Sequence, residues 1–245
     1  MASDPTTRTL VLLPGLDGAG ELFAPFIDAL PPAFKVIPVE FPRDRLLAYP
    51  EFVGLVCSSP PASEPFALVA ESFSSPIAIK VAAKKLSHLK ALILCAGFAS
   101  SPVHQWARRL VPLLGRPLRR VHLPSFFLRR WLVGKDAPDS LMNALRNAVA
   151  SVRPEVLHSR LEMTAACDAR AELAQIGVPI LYLQADRDRV VPPRCLEEIR
   201  RIKPETLVSR VAGPHLLLQR EPRVTAQIIA DFVEKLNLDW PSRAR

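Results

Sequence analysis

Apolar positions along this chain fall into two rhythms. Short, nearly unbroken apolar runs occur at Arg8-Thr-Leu-Val-Leu-Leu13, Phe66-Ala-Leu-Val69, Ala91-Leu-Ile-Leu-Cys-Ala96 and Pro179-Ile-Leu-Tyr-Leu-Gln184. Their length and lack of alternation predict strands covered on both faces. Phe34 to Phe41 and Thr206 to Val211 read as two more strands, the first interrupted by Pro38 and so suited to a sheet edge or a bulge. Between the runs the spacing changes to helical. It predicts helices over Glu21 to Leu30 (stopped by Pro31-Pro32), Tyr49 to Cys57, Pro76 to Lys85, Asp168 to Ile176, Pro192 to Ile202 and Pro222 to Leu236. Strands alternating with helices predict an α/β fold whose sheet is mostly parallel, with helices on both faces.

The alternation stops between about Ser100 and Ala166. No strand pattern is found there. Prolines at 102, 112, 117, 124, 138 and 154 separate helical runs rich in bulky apolar residues, among them Trp106, Phe126, Phe127 and Trp131. A helical insertion is the simplest reading, giving a core of residues 1–99 and 167–245 with a helical lid over 100–166. Most of the four aromatics' bulk is expected in the core of that lid, with the wall of a substrate pocket as the second reading. Charge sharpens the division. Between Phe98 and Ala166 there are eleven Lys or Arg against four Asp or Glu, so +7 of the chain's net +8 falls in the insertion. Such a face is either a solvated helical surface or a docking surface for an acidic partner.

Composition narrows the rest. No apolar run reaches the length of a membrane span, and the first residues lack the basic and apolar segments of a signal peptide. Four scattered cysteines without a CxxC pair suit a reduced, cytoplasmic protein. No histidine or cysteine pair has metal-ligand spacing, so neither a metal nor any other cofactor is expected.

The candidate chemistry centres on Ala70-Glu-Ser-Phe-Ser74, between the strand beginning at Phe66 and the helix with Pro76 in its first turn. Strand, tight turn with a serine, helix is the context of a nucleophile elbow, usually spelled G-x-S-x-G. Both glycines are absent here, but Ala70 and Ser74 are small, as the strained turn requires. A hydrolytic serine needs a base, a carboxylate to orient the base, and N–H donors for the oxyanion. Leu181-Tyr-Leu-Gln-Ala-Asp-Arg-Asp-Arg-Val-Val-Pro192 runs from a strand into a turn with two candidate acids, Asp186 and Asp188. Asp188, directly before Arg189-Val-Val-Pro192, is the preferred one. His215, in Ala212-Gly-Pro-His215, is the only histidine after Asp188 and stands just past a strand. The order serine, acid, histidine makes Ser72 the nucleophile, His215 the base and Asp188 its orienter. The oxyanion donors are expected at the Phe73 amide and at the Leu16 amide in Pro14-Gly-Leu-Asp-Gly-Ala-Gly20, where Gly15 lets the backbone lie close to a substrate. That loop reads GxxGxG rather than GxGxxG, which argues against dinucleotide binding.

Taken together, Leu-Pro-Gly-Leu-Asp-Gly-Ala-Gly, the Ser72 elbow, Ala-Asp-Arg-Asp-Arg-Val-Val-Pro and Gly-Pro-His resemble the α/β-hydrolases with a helical lid over nearly the whole chain. The resemblance implies the α/β-hydrolase fold with a sheet of about six strands, since there is no room before Arg8 for the two-strand hairpin such proteins often carry. It departs from the pattern at the elbow glycines and at Pro14, where a histidine often precedes the glycine. Val156 to Pro192 is similar to pimeloyl-acyl-carrier-protein methyl ester esterases of biotin synthesis, which dock an acidic carrier protein on basic lid residues. By that similarity Arg108, Arg109, Arg119 and Arg120 become candidate docking residues for an acyl carrier protein. The expected activity is that of a serine carboxylic-ester hydrolase working through an acyl-enzyme on a small to medium acyl ester. An acyltransferase on the same residues and a non-catalytic ligand- or carrier-binding module are the alternatives. The basic arginines are interleaved with apolar helix rather than arranged as a nucleic-acid reader, so no nucleic-acid partner is expected.

Overall fold

The structure is a computed structural model that describes residues 8–60, 64–104 and 125–236. Among these, six parallel strands form one sheet in the order β2-β1-β3-β4-β5-β6. They are β1 (Arg8–Leu13), β2 (Phe34–Pro38), β3 (Phe66–Glu71), β4 (Leu89–Cys95), β5 (Ile180–Ala185) and β6 (Leu207–Val211). The helices of the core are α1 (Ala24–Ala29), α2 (Tyr49–Cys57) and α3 (Ser75–Ala82). Between β4 and β5 come a π-helical turn (Leu128–Val133), α4 (Asp139–Ala150) and α5 (Pro154–Ala166). Then follow α6 (Arg170–Ala174), α7 (Arg194–Ile202), α8 (Leu217–Arg220) and α9 (Pro222–Lys235).

Each strand divides its side chains between two cores because successive residues point to opposite faces. Val11, Leu13, Leu68, Ala70, Leu92, Leu94 and Tyr182 join one cluster, with residues of α2, α3, α6 and α7. Leu10, Leu12, Ala67, Val69, Ile93 and Leu183 join the other, under α1, α8 and α9. Every residue of β3 is buried, as a strand third in six and covered on both sides must be.

The departures from the sequence reading have local causes. The second strand ends at Pro38, not Phe41. Proline has no N–H to give a ladder, and β2 is an edge strand, so the loss costs one side of one pairing. The chain still follows β1 for one more bond, Val39 N–H to the Leu12 carbonyl at 2.8 Å. The helix expected from Glu21 begins as a 3-10 turn, Gly20–Phe23, and becomes α-helical only at Ala24, with Pro25 in its first turn where no N–H is missed. The third helix stops at Ala82, and Lys85 turns the chain with a positive φ of 55°. The short helix α8, immediately after His215, has no counterpart in the sequence reading.

The segment between β4 and β5 leaves and rejoins the core at one place. Ser100 and Asp168 form an antiparallel bridge, flanked by Ala169 N–H to Ala99 O at 2.8 Å and Ser101 N–H to Cys167 O at 3.1 Å. Its own apolar cluster, Leu128, Val133, Met142, Leu145 and Ala148, packs on Ala19, Leu22 and Leu216, which lie in the connections following β1 and β6. Of the aromatics expected in the lid core, Phe126, Phe127 and Trp131 stay out of this cluster. Phe127 and Trp131 stack on each other at 5.5 Å, Trp131 is 39% exposed and Phe126 73% exposed. Their neighbours Leu128 and Val133, on the π-helical turn, are buried instead. Trp106, Arg108, Arg109, Arg119 and Arg120 lie outside the described residues.

Candidate active site

β3 delivers Ser72 to the C-terminal edge of the sheet. The strand runs to Glu71, two residues beyond its apolar run, and Ser72 takes φ +48° before the 3-10 turn Ser72–Ser74 leads into α3. A left-handed backbone at a non-glycine residue is strained by about 1 kcal/mol or more, so the surroundings must hold it. They do so on both sides. Ala70 is fully buried in the core beneath the turn. Ser74, in the second glycine position of the elbow spelling, is also fully buried and donates its hydroxyl to the Pro14 carbonyl. Serine therefore does something here that glycine cannot: it ties the elbow to the loop after β1. Phe73 anchors the same turn from below. Its ring meets Phe52 at 5.6 Å and Phe41 at 6.2 Å, and those two meet at 4.8 Å, all edge-on.

The loops after β5 and β6 bring the other two side chains to Ser72. His215 is 3% exposed, and its Nε2 lies 2.8 Å from Ser72 Oγ. Its Nδ1 lies 2.9 Å from Asp188 Oδ2. With Nδ1–H donating to the carboxylate, Nε2 is left as the acceptor for the serine proton. The other oxygen of Asp188, Oδ1, accepts the Val190 and Val191 amides at 2.7 and 2.9 Å, which fixes the carboxylate plane toward the imidazole. Asp186 is placed differently. Its Oδ1 accepts the Gly213 amide at 2.9 Å and lies 3.5 Å from Arg187 Nε, so it joins the two loops without touching His215. The His215 loop is also held from the insertion, by Leu216 N–H to the Leu132 carbonyl at 3.0 Å.

The loop after β1 lies against the elbow. A side chain added at Gly15 would stand 3.4 Å from Asp17 Oδ1 and 3.7 Å from Glu71 Oε2, ordinary contact distances, so Gly15 lies directly against these two carboxyl groups. Three consecutive carbonyls of this loop have donors: Pro14 takes the Ser74 hydroxyl, Gly15 takes the Gly18 amide at 3.1 Å, and Leu16 takes Arg160 Nη1 at 2.8 Å. A trans peptide sets its N–H opposite its C=O. With the Gly15 carbonyl turned into the loop toward Gly18, the Leu16 amide faces out of it.

Four polar residues behind the site were not singled out from the sequence. Glu71 is 2% exposed. Burial, with Asp17 adding to it, pushes its carboxyl up to about 8, against a smaller opposing effect of the Gln219 amide that donates to Oε2 at 3.2 Å. Asp17 is buried as well and raised by burial, while its Oδ2 accepts the Ala19 amide at 2.8 Å. Arg160, on α5, is 1% exposed and lowered to about 10 by burial. The only signal for Glu71 and Asp17 was adjacency to the elbow and the glycine loop; Arg160 and Gln219 carried none. Among the described residues no three His, Cys, Asp or Glu gather as a metal site, and no helix is long and apolar enough to cross a membrane. Beside Asp188 a cleft of about 420 Å³ is lined by Arg130, Lys135, Asp136, Arg187, Arg189 and Pro214.

Comparison with known proteins agrees with this architecture. The family described as serine aminopeptidase, S33, matches residues 48–217. A pimeloyl-[acyl-carrier protein] methyl ester esterase of Neisseria meningitidis is 25% identical over 248 residues, covering 96% of this chain and 79% of that one. A protein of the same name from Xanthomonas oryzae pv. oryzae is 26% identical over 221 residues, covering 83% and 86%. Among solved structures, a thermophilic esterase from Thermogutta terrifontis superimposes with a TM-score of 0.80 at 19% identity, over 94% of this chain and 91% of that one.

Proposed function

Because the chain belongs to the serine aminopeptidase S33 family of α/β-hydrolases, we propose that it hydrolyses carboxylic esters through Ser72, His215 and Asp188. The observation that carries this reading is the unbroken chain of contacts from Asp188 Oδ2 through His215 to Ser72 Oγ, at 2.9 and 2.8 Å, ending on a serine in the left-handed region. Ser72 Oγ attacks the acyl carbon while His215 Nε2 takes its proton. The oxyanion that forms is received by the Leu16 and Phe73 amides. Collapse of the tetrahedral intermediate expels the alcohol, which takes the proton back from His215, and leaves the acyl group on Ser72. A water, deprotonated by His215, then releases the acid. Asp188 holds the imidazole in the tautomer with its proton on Nδ1 and stabilises the imidazolium.

An ester rather than a peptide leaving group is favoured by the esterase relatives, and a small to medium acyl chain linked to a carrier protein by the names they bear. The cationic cleft beside Asp188 supports the same substrate class, since four basic side chains line it and both of its acids are already engaged, Asp136 by Arg220 and Asp188 by His215. The stretch over 100–166 acts in this reading as the lid, and the chain works in the cytoplasm without a cofactor.

The test is turnover of p-nitrophenyl butyrate together with labelling by a fluorophosphonate. Ser72→Ala is expected to lose on the order of 10⁶ in kcat and all labelling, and Asp188→Asn on the order of 10⁴ in kcat. Full turnover by Ser72→Ala ends the proposal. Ester product formed with added alcohol, in preference to acid, shifts it to acyl transfer.

A further inference from the structure

We propose that Arg160 is a positioning residue for the oxyanion donors: from outside the core it sets the loop that carries the Leu16 amide. This rests on the catalytic reading above and adds a residue that takes no part in the bond-making steps.

A guanidinium is costly to bury, and one that stays buried must be held by partners that use its shape. Arg160 uses both arms of the fork. Nη1 donates to the Leu16 carbonyl and Nη2 to the Pro42 carbonyl, each at 2.8 Å. These carbonyls belong to the loops leaving β1 and β2, two neighbouring strands, so one planar group fixes their separation. The guanidinium carbon lies over two aromatic rings, 5.8 Å from the centre of Phe41 and 5.9 Å from that of Phe52, the rings that also seat Phe73. Buried Asp17 offsets its charge. The loop then closes over it: Gly18 has φ +75°, and a methyl group there would come within 2.6 Å of Nη1.

The consequence for chemistry follows from the three carbonyls of the loop. Ser74 and Gly18 hold the peptides up to Leu16, and Arg160 holds the one after it. The Leu16 amide is thus fixed on both sides, and the side chain on its far side comes from α5. The same guanidinium touches the rings under Phe73, so both proposed donors rest on it. An oxyanion donor acts only where charge develops, so losing its alignment is felt in the transition state and not in substrate binding.

The experiment is steady-state kinetics of Arg160→Met on p-nitrophenyl butyrate, with active sites counted by fluorophosphonate titration so that unfolded protein is not scored. Beside it, the inhibition constant of an aryl trifluoromethyl ketone, which forms a tetrahedral oxyanion on the serine, is measured. The expected result is a kcat lower by roughly 10- to 100-fold with KM within about twofold, and a ketone bound more weakly by a similar factor. A merely structural role lowers the melting temperature and the number of titratable sites but leaves kcat per site and ketone affinity unchanged, and that result overturns the proposal. Should Arg160→Met fail to fold, Arg160→Lys decides, because an ammonium keeps the buried charge but lacks the planar fork that spans both carbonyls: the same loss of kcat upholds the proposal, and wild-type kcat per site overturns it. Ser72→Ala in the same series separates the two readings. If it is inactive while Arg160→Met turns over normally, only the role of Arg160 falls.

Discussion

Single side chains at this site do work that their position in a motif does not announce. Ser74 is the clearest case. The small residue expected at that place was readable as a steric need, yet its hydroxyl bonds the Pro14 carbonyl inside the molecule. Ser74→Ala satisfies the steric need and leaves a buried carbonyl without its donor. It is expected to cost about 1–2 kcal/mol in urea denaturation and to lower kcat more than KM. Glu71 gives a prediction in pH. Its carboxyl titrates near 8 in the folded chain, above its ordinary value of 4.5. The native state therefore keeps a proton that the unfolded chain loses, and stability falls as pH rises from about 4.5 to 8, then levels off. Glu71→Gln should remove that fall, so the variant gains on the wild type between pH 5 and 8 in denaturation curves taken across the range. A gap constant in pH would show that Glu71 is already ionised at neutral pH. Ser72, Asp188 and His215 were legible because loops at strand ends, in a fixed chain order, are a local signal. Arg160 was not. It sits in a basic segment among ten other cationic residues, and only the packing of α5 on the loops after β1 and β2 reveals its burial.

At the scale of elements, strands were more legible than their ends. Continuous apolar runs mark strands covered on both sides, but the last residues of β3 include a glutamate that no hydrophobic pattern would admit. The tertiary structure overrides its polarity by burying it against Gln219. The face of the π-helical turn was misjudged for a related reason: bulk alone suggested that Phe126 and Trp131 turn inward, while Leu128 and Val133 are the residues buried. The three rings of Phe41, Phe52 and Phe73 join the loop after β2, α2 and the elbow. Phe52→Ala removes the middle of this group. A loss of about 3–5 kcal/mol is expected on general grounds for a buried phenylalanine. It should be accompanied by reduced kcat per titrated site, since both the Phe73 backbone and Arg160 lean on that ring. A stability loss with kcat intact would assign the rings to the core alone.

For the molecule as a whole, alternation of strands and helices was enough to read a parallel sheet, because parallel strands need crossovers and the helices supply them. Which strands are neighbours was not readable, since the order places β1 between β2 and β3 through packing distant in sequence. Charge is the other whole-molecule property. Most of the net +8 lies between Phe98 and Ala166, and Arg130 and Lys135 bring part of it to the cleft beside Asp188. If that field gathers an acidic carrier, kcat/KM for a carrier-linked ester should fall steeply between about 50 and 300 mM salt, as screening shortens its reach, while kcat/KM for p-nitrophenyl butyrate stays nearly flat. Lys135→Glu should reproduce the loss at low salt. Equal salt dependence for both substrates would remove the carrier from the reading.

The paired backbone at Ala99–Ser101 and Cys167–Ala169 gives the molecule a seam. Everything strung between its two sides enters and leaves at one point, which is the geometry of a graft: the stretch can be exchanged for another without re-routing the sheet. Yet the scion here is not independent of its rootstock. The stretch carries Arg160 back into the loops beside the elbow. If the stretch is the lid and the Leu16 and Phe73 amides are the oxyanion donors, as proposed, an exchange that changes what the cover admits also changes how well those amides are aimed, and altered specificity and altered turnover are inherited together.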